Sequence, residues 1–427
     1  MINKFIQTCK LNGEKAAVIC NGKSFSYSRL LSDVHKMISL FEARGIGRGE
    51  KVLLLVTPSY EFYTLMLACI YYGINVVVMD SYKNVDRIVQ TMCDGGINRV
   101  FCNSVTGILK TKFPKDVKFI NISNYSRYED RDYPVEAQGD SVVLTTFTSG
   151  TTGKPKPIDR SISDLGQQID IVEKNIDIGK TSVVYAGLPI YALFLIYSGK
   201  TCIISRKIRK RELERFGATN MVAPISELLK LDEEFSFIKK LYLGGAMLYK
   251  KEAKQLFQSF PTAEITYIYG SSECVLMAKA NLKDYISNNF ALGGPIDGVE
   301  LSIVEQDKNG IGRIMAKGDV ILTDNKIFVG GDLGYIDSQG LHIVGRAAYS
   351  SVGKYNYITD ERILADNPEV KKGFSFIHED KLCFCYIGKL AKEEDGIQYY
   401  KFKRLPMDPK HRTKLNYKKA IDFIKNK

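Results

Sequence analysis

From residue 51 to residue 102 the chain switches repeatedly between two hydrophobic periods. KVLLLV (51–56) is a short apolar run of strand length. Residues 60–72 carry apolar side chains at helical spacing. INVVVM (74–79) is again strand-like, residues 84–94 helical, and RVFC (99–102) a third strand. Strands separated by helices cannot pair as hairpins, so this order predicts a parallel sheet covered by helices. A similar alternation recurs over 201–274, with strands at LYLGG and EITYIYG. After Gly293 it gives way to short strands and turns (VELSIVE, GRIMAKG, KIFVG, LHIVG), which predict mostly β structure, a small barrel. Beyond Arg346 a short α+β segment closes the chain.

Two uncharged stretches, 62–79 and 181–199, raise the question of membrane spans. Gly73 and Asn75 interrupt the first, Gly187 and Pro189 the second. Each divides better into one helix and one strand than into a spanning helix, so no transmembrane segment is expected. With 45% apolar and 25% charged residues among 427, the composition is that of a folded globular chain. The first residues lack the apolar core of a signal peptide, and nine irregularly spaced cysteines point to a reducing cytoplasm. Cys383 and Cys385 alternate with Phe384 and so face one side of a strand, as core residues.

The net charge of +12 is concentrated. Residues 399–427 hold ten Lys/Arg against two Asp, and RKIRKRELER (206–215) is a second cluster. Such patches suit nucleic acid, peripheral contact with an anionic membrane or an anionic small molecule, and read equally as solvated faces. No helix-turn-helix, zinc-finger or RNA-binding signature accompanies them, so no nucleic-acid partner is expected.

TTFTSGTTGKPK (145–156) follows SVVLTTF (141–147), a run that reads as a buried strand. The hydroxyls of Thr148, Ser149, Thr151 and Thr152, the turns allowed by Gly150 and Gly153, and the charges of Lys154 and Lys156 suit a phosphate group. It is not a Walker loop: only two residues separate the glycines, and Pro155 follows Lys154. As a bare string it also reads as a polar surface turn.

Set beside the other motifs, the loop carries a family resemblance. KSFSYSRLLSDV, TSGTTGKPK, LYLGGAML, YGSSE, GGPIDGVELSIVE, GDLGYID, the Gly345–Arg346 pair and LPMDPKHRTK occur in the order typical of the acyl-adenylate-forming superfamily. That superfamily holds acyl- and aryl-CoA synthetases, peptide-synthetase adenylation domains and firefly luciferase. The resemblance implies an α/β fold: a large N-terminal region (1–345) of parallel-sheet subdomains plus a small β-barrel, and a small, shortened, mobile C-terminal domain (346–427). It implies that a carboxylic acid attacks ATP to give acyl-AMP and pyrophosphate, and that the acyl group then passes to the thiol of CoA or of a carrier protein's phosphopantetheine. The 148–156 loop would be a movable clamp over the β- and γ-phosphates. Glu273 with Thr152 would hold Mg²⁺, Ser272 would complete the nucleotide-side motif, and Gly244, Gly245 and Tyr269 would line adenine. Asp332 would accept both ribose hydroxyls, Arg346 would reach ribose or phosphate, and Lys414 would bridge the substrate carboxylate and the α-phosphate. As bare residues, Glu273 also reads as the cap of a following helix, Asp332 as a turn residue and Lys414 as a solvated lysine.

Departures from the family pattern fall on the thioester-forming half. Gly330–Gly331–Asp332 replaces Thr-Gly-Asp but keeps the carboxylate. Ala347 and Ala348 stand where the hinge usually carries Asp or Lys, SSVGKYNYI is a shortened acceptor-side loop, and Ala192 takes a position usually aromatic or His. Small residues at Ala192, Gly244, Gly245 and Ala246 leave room for a long apolar acyl tail, so a fatty or related acid is the expected substrate. Two other readings are a carrier-protein-loading ligase and a non-catalytic AMP-binding regulator with a reduced C-terminal domain.

Overall fold

The computed structural model describes residues 1–79, 85–148, 156–179, 182–407 and 415–426. It divides into two compact units, Met1–Val222 and Ala223–Lys427. The boundary expected at 345/346 falls inside the second.

In the first unit, six strands lie in the order Lys118–Asn121, Arg99–Cys102, Lys51–Leu55, Asn75–Val78, Val142–Thr148, Lys156–Ser161. The first five are parallel and the last is antiparallel. The expected alternation is therefore present, with the helices Tyr60–Tyr72 and Val85–Asp94 as connections. Ser59 caps the first of these through its hydroxyl, and Gly73, left-handed at φ 87°, ends it. Eleven of its thirteen residues are buried. A helix enclosed on all sides needs no polar face, which is why the sequence there resembles a membrane span. The second uncharged stretch likewise divides into the strand Val183–Ala186 and the helix Pro189–Tyr197. Among the described residues no helix is long and apolar enough to cross a membrane. A second parallel set in this unit orders Val183–Ala186, Thr201–Ile204 and Ala16–Cys20, edged by the antiparallel Lys23–Ser26.

In the second unit Lys240–Gly244 pairs in parallel with Glu264–Tyr269, which pairs antiparallel with Ala278–Asn281. The short strands after Gly293 form a four-stranded antiparallel meander: Glu300–Val304, Gly312–Lys317, Ile327–Asp337, Gly340–Arg346. The remainder consists of the helix Asn356–Asp366, a three-stranded sheet (Val370–His378, Lys381–Gly388, Ile397–Lys401) and the helix Tyr417–Lys425. Cys383 and Cys385 face one apolar cluster with Phe376 and Phe402, whereas Phe384 faces another. Burial pushes the Cys385 thiol up to about 12.

The helix Asn356–Asp366 is fastened to the start of the helix Lys250–Ser259. Tyr249 Oη donates to Asp360 Oδ2 at 2.8 Å, and the Lys250 amide donates to Glu361 Oε2 at 3.1 Å. Asp360 is fully buried and also accepts from the Ser375 amide at 2.5 Å. Burial pushes its carboxyl from 3.8 up to about 7, with the Glu252 carboxylate adding to the rise. Between those two values the folded protein keeps a proton that the unfolded chain releases. Stability from this group is therefore present at low pH and lost as pH rises through the window. Wild-type protein is expected to melt at lower temperature at about pH 7.5 than at about pH 5, with Asp360→Asn flattening part of that slope. Glu252, itself raised to about 7 by burial, adds a slope of the same sign. Thermal melts of both proteins across this range check it; equal slopes would remove Asp360 from the account.

Candidate active site

The second unit brings three of the expected residues into direct contact. Tyr269 ends the strand Glu264–Tyr269, and its Oη donates to Asp332 Oδ2 at 3.2 Å. Asp332 lies within the long strand Ile327–Asp337, directly opposite Arg346 in the ladder. Arg346 Nε donates to Asp332 Oδ1 at 2.7 Å. The turn-residue reading of Asp332 is thereby replaced: a fixed strand position aims this carboxylate. The Asp332 charge holds the Arg346 proton more firmly than usual, and burial, with Asp332 second, raises the Tyr269 phenol. Both carboxylate oxygens have a partner, yet the side chain is 19% exposed. An ionised carboxylate has about four acceptor sites, so two further donors can be received here. Tyr357 lies in the field of the same two charges, and burial raises its phenol too.

Gly244 and Gly270 mark where backbone meets backbone. A Cβ on Gly244 would stand 2.6 Å from the Ile268 carbonyl oxygen, and one on Gly270 would stand 2.2 Å from that of Val275. No side chain fits at such a distance, so both glycines are imposed by close approach. Gly245 follows with φ 88°. After Gly270 the chain folds into a tight turn in which the Ser271 amide donates to the Cys274 carbonyl at 2.7 Å and the Cys274 amide to Ser271 Oγ at 3.1 Å. Ser272 and Glu273 sit inside that turn. Glu273 caps no helix, since the next element is the strand Ala278–Asn281. Its backbone carbonyl accepts from the Leu322 amide at 3.0 Å. Its half-buried side chain has no hydrogen bond or ion pair among the described residues. A lone, partly shielded carboxylate fits Mg²⁺, which keeps waters and phosphate oxygens and takes one or two protein carboxylates. No cluster of three or more His, Cys, Asp or Glu suited to a metal occurs among the described residues.

In the first unit, the glycine- and hydroxyl-rich loop joins two antiparallel strands, with Thr148 and Lys156 paired at its base. Ser149, Gly150, Thr151, Thr152, Gly153 and Lys154 lie outside the described residues, as does Lys414. Lys156 is exposed. The hairpin below the loop is braced by side chains that the sequence reading did not single out. Thr145 Oγ1 donates to Asp159 Oδ1 at 2.5 Å, and buried Arg160 donates to Thr146 Oγ1 at 2.7 Å and Gln168 Oε1 at 3.1 Å. In sequence, the only mark is the charged pair Asp159–Arg160 shortly after the loop.

Asn356 was also missed. Fully buried, its Oδ1 accepts from the Arg346 amide at 2.8 Å and from Ser350 Oγ at 2.9 Å. One carboxamide oxygen therefore ties down the segment carrying Ala347 and Ala348, which forms a short 3₁₀ turn, Ala347–Tyr349. Nothing in the local sequence marks an asparagine for that role.

The strand-borne acid–guanidinium pair, the glycine-constrained floor and the parallel sheets together describe a nucleotide-handling α/β enzyme. The chain belongs to the AMP-binding enzyme family, whose sequence model matches residues 5–327. It is 22% identical over 423 residues to the 2-succinylbenzoate–CoA ligase of Bacillus subtilis, covering 89% of this chain and 85% of that one. It is 22% identical over 402 residues to the PKS-NRPS hybrid synthetase ATPKS of Aspergillus niger, where the match takes in 81% of this chain but only 21% of the synthetase. The fold matches that of O-succinylbenzoate coenzyme A synthetase (MenE) from Bacillus subtilis, solved in complex with ATP and magnesium ion. The TM-score is 0.82 at 18% identity, covering 95% of this chain and 96% of that one.

Proposed function

We propose that this protein is an AMP-forming acid–thiol ligase. A carboxylate oxygen of the substrate attacks the α-phosphorus of ATP, and pyrophosphate leaves. A thiol sulfur then attacks the acyl carbon, AMP leaves, and the thiol proton passes to solvent. Coenzyme A is the first-choice thiol, and a fatty or related acid is the substrate. The observation that carries this reading is the Asp332 carboxylate held on both oxygens by Arg346 and Tyr269 yet still open to two more donors. Ribose offers two hydroxyls, and AMP and ATP carry them alike.

Asp332 receives the ribose, Arg346 the ribose or a phosphate, and Gly244, Gly245 and Tyr269 flank the adenine. Glu273 and Thr152 hold Mg²⁺, which when bound neutralises phosphate charge. Thr148, Ser149, Gly150, Thr151, Gly153, Lys154 and Lys156 form the clamp, with Ser272 beside the metal-side carboxylate. Lys414 stands between the acid and the α-phosphate. Residues 346–427 act as the movable piece that changes place between the two half-reactions. Nine free cysteines fit a reducing cytoplasm. A carrier protein is the second thiol source, favoured by the exposed basic residues of 206–215 and their fit to an acidic partner.

The test is acid-dependent ATP–pyrophosphate exchange over a panel of fatty, aryl and amino acids, with and without a chelator. At least one acid is expected to support exchange, and magnesium removal to abolish it. Protein that binds ATP but exchanges with no acid would point to the regulatory reading instead.

A further inference from the structure

Away from the site, one surface turn presents apolar and basic side chains together. Val105 is 73% exposed and Ile108 74%, among the most exposed large aliphatic residues of the chain. They sit three residues apart where the strand Arg99–Cys102 leads into the 3₁₀ helix Thr106–Lys112. The turn is firmly built. Asn103 Oδ1 accepts from the Val105 amide at 3.1 Å and the Thr106 amide at 2.9 Å, and Thr106 Oγ1 donates to the Leu55 carbonyl. Leu109 and Phe113 face inward, packed on the core of the six-stranded sheet. The segment has thus separated its apolar residues into two that anchor it and two that it holds outward.

The surrounding charge is one-sided. Lys110, Lys112, Lys115 and Lys118 are all exposed, and Asp116 is the single acidic residue between 103 and 118. Protein-binding surfaces favour aromatic residues, Met and Arg and are poor in Lys, whereas this turn exposes Lys and aliphatic side chains. Two aliphatic tips ringed by lysines match a surface with a hydrocarbon interior and an anionic face.

We propose that this turn docks the protein on anionic membrane, with Val105 and Ile108 entering the headgroup boundary and Lys110, Lys112, Lys115 and Lys118 meeting lipid phosphates. Contact is peripheral and reversible, since two short side chains and four charges give modest affinity. A ligase for an apolar acid would thereby work where such acids partition, but the docking holds whatever the substrate.

The experiment is co-sedimentation of the full chain with vesicles of phosphatidylcholine alone and of phosphatidylcholine with about one-third phosphatidylserine. Wild-type protein is expected to sediment with the anionic vesicles, and less so at high salt. Val105→Ser with Ile108→Ser keeps every charge and is expected to lower partitioning roughly tenfold at unchanged melting temperature. Lys110→Glu with Lys112→Glu is expected to do likewise, while Arg209→Glu with Arg211→Glu leaves partitioning near the wild-type level. Equal binding by the serine variant would show attraction by bulk charge and overturn the proposal. So would no sedimentation with either vesicle, which would leave a protein as the occupant of the patch.

Discussion

Lys414→Ala is expected to lower acid-dependent ATP–pyrophosphate exchange by roughly 10²–10³-fold, the usual loss when one donor to a developing charge is removed. The substitution should leave the fold intact, because the ends of its segment are secured independently of it. Met407 and Leu415 pair across the base, the Asn416 amide donates to the Pro406 carbonyl at 2.6 Å, and Leu405 and Leu415 are buried in one apolar cluster. The described residues that flank 408–414, Met407 and Leu415, thus stand side by side. Lys418 and Lys419, exposed on the following helix, are ordinary surface charges, and alanine there should cost little. Transfer from preformed acyl-AMP to a thiol should also survive Lys414→Ala, since the step assigned to the lysine in the proposed mechanism is already past. Equal losses at Lys414 and Lys418 would mean that the tail acts through bulk charge.

The second large effect is expected at Asp332. With Asp332 in the proposed ribose role, alanine there removes two charge-assisted hydrogen bonds, each worth about 1.5–3 kcal/mol, and so lowers kcat/KM for ATP by about 10²-fold or more. Most of the loss should appear as a raised KM, because ribose contacts are the same before and during the reaction. Asp332→Asn is the informative companion. The wild-type carboxylate faces Arg346 on one oxygen and Tyr269 on the other. Asparagine keeps an acceptor for Arg346, and the Tyr269 hydroxyl can turn to receive its amide proton. The fold should therefore be preserved while the charge that draws the ribose is gone. Exchange kinetics at varied ATP, with melting curves for both variants, decide it. An unchanged KM in Asp332→Ala would remove the ribose assignment.

The parts of this fold that read clearly from sequence are those whose signal is local. The helix Tyr60–Tyr72 and the strand Arg99–Cys102 coincide with their expected bounds because apolar periodicity and flanking breakers lie within the segments themselves. The strand Lys156–Ser161 was not anticipated, since PIDR has little strand propensity and gains its place only by pairing with Val142–Thr148. The candidate site shows the same division. Motif order singled out Tyr269, Asp332 and Arg346, but their contacts join residues 63 and 14 positions apart. Asn356 and Arg160 each make two side-chain hydrogen bonds to residues on other elements, and composition alone does not name such partners.

The close approaches at Gly244 and Gly270 bear on how such a protein can diversify. Where main chain touches main chain at 2.2–2.6 Å from any added carbon, every single-residue change is blocked by sterics, whatever its chemistry. Selection therefore has no small steps available at these two positions. Drift must instead run through chain neighbours that already carry side chains, such as Tyr242, Ala246 and Tyr267, where exchanges of volume are graded. A library that randomises the glycines would return mostly unfolded protein, while one that randomises those three neighbours would keep the fold and sample its range.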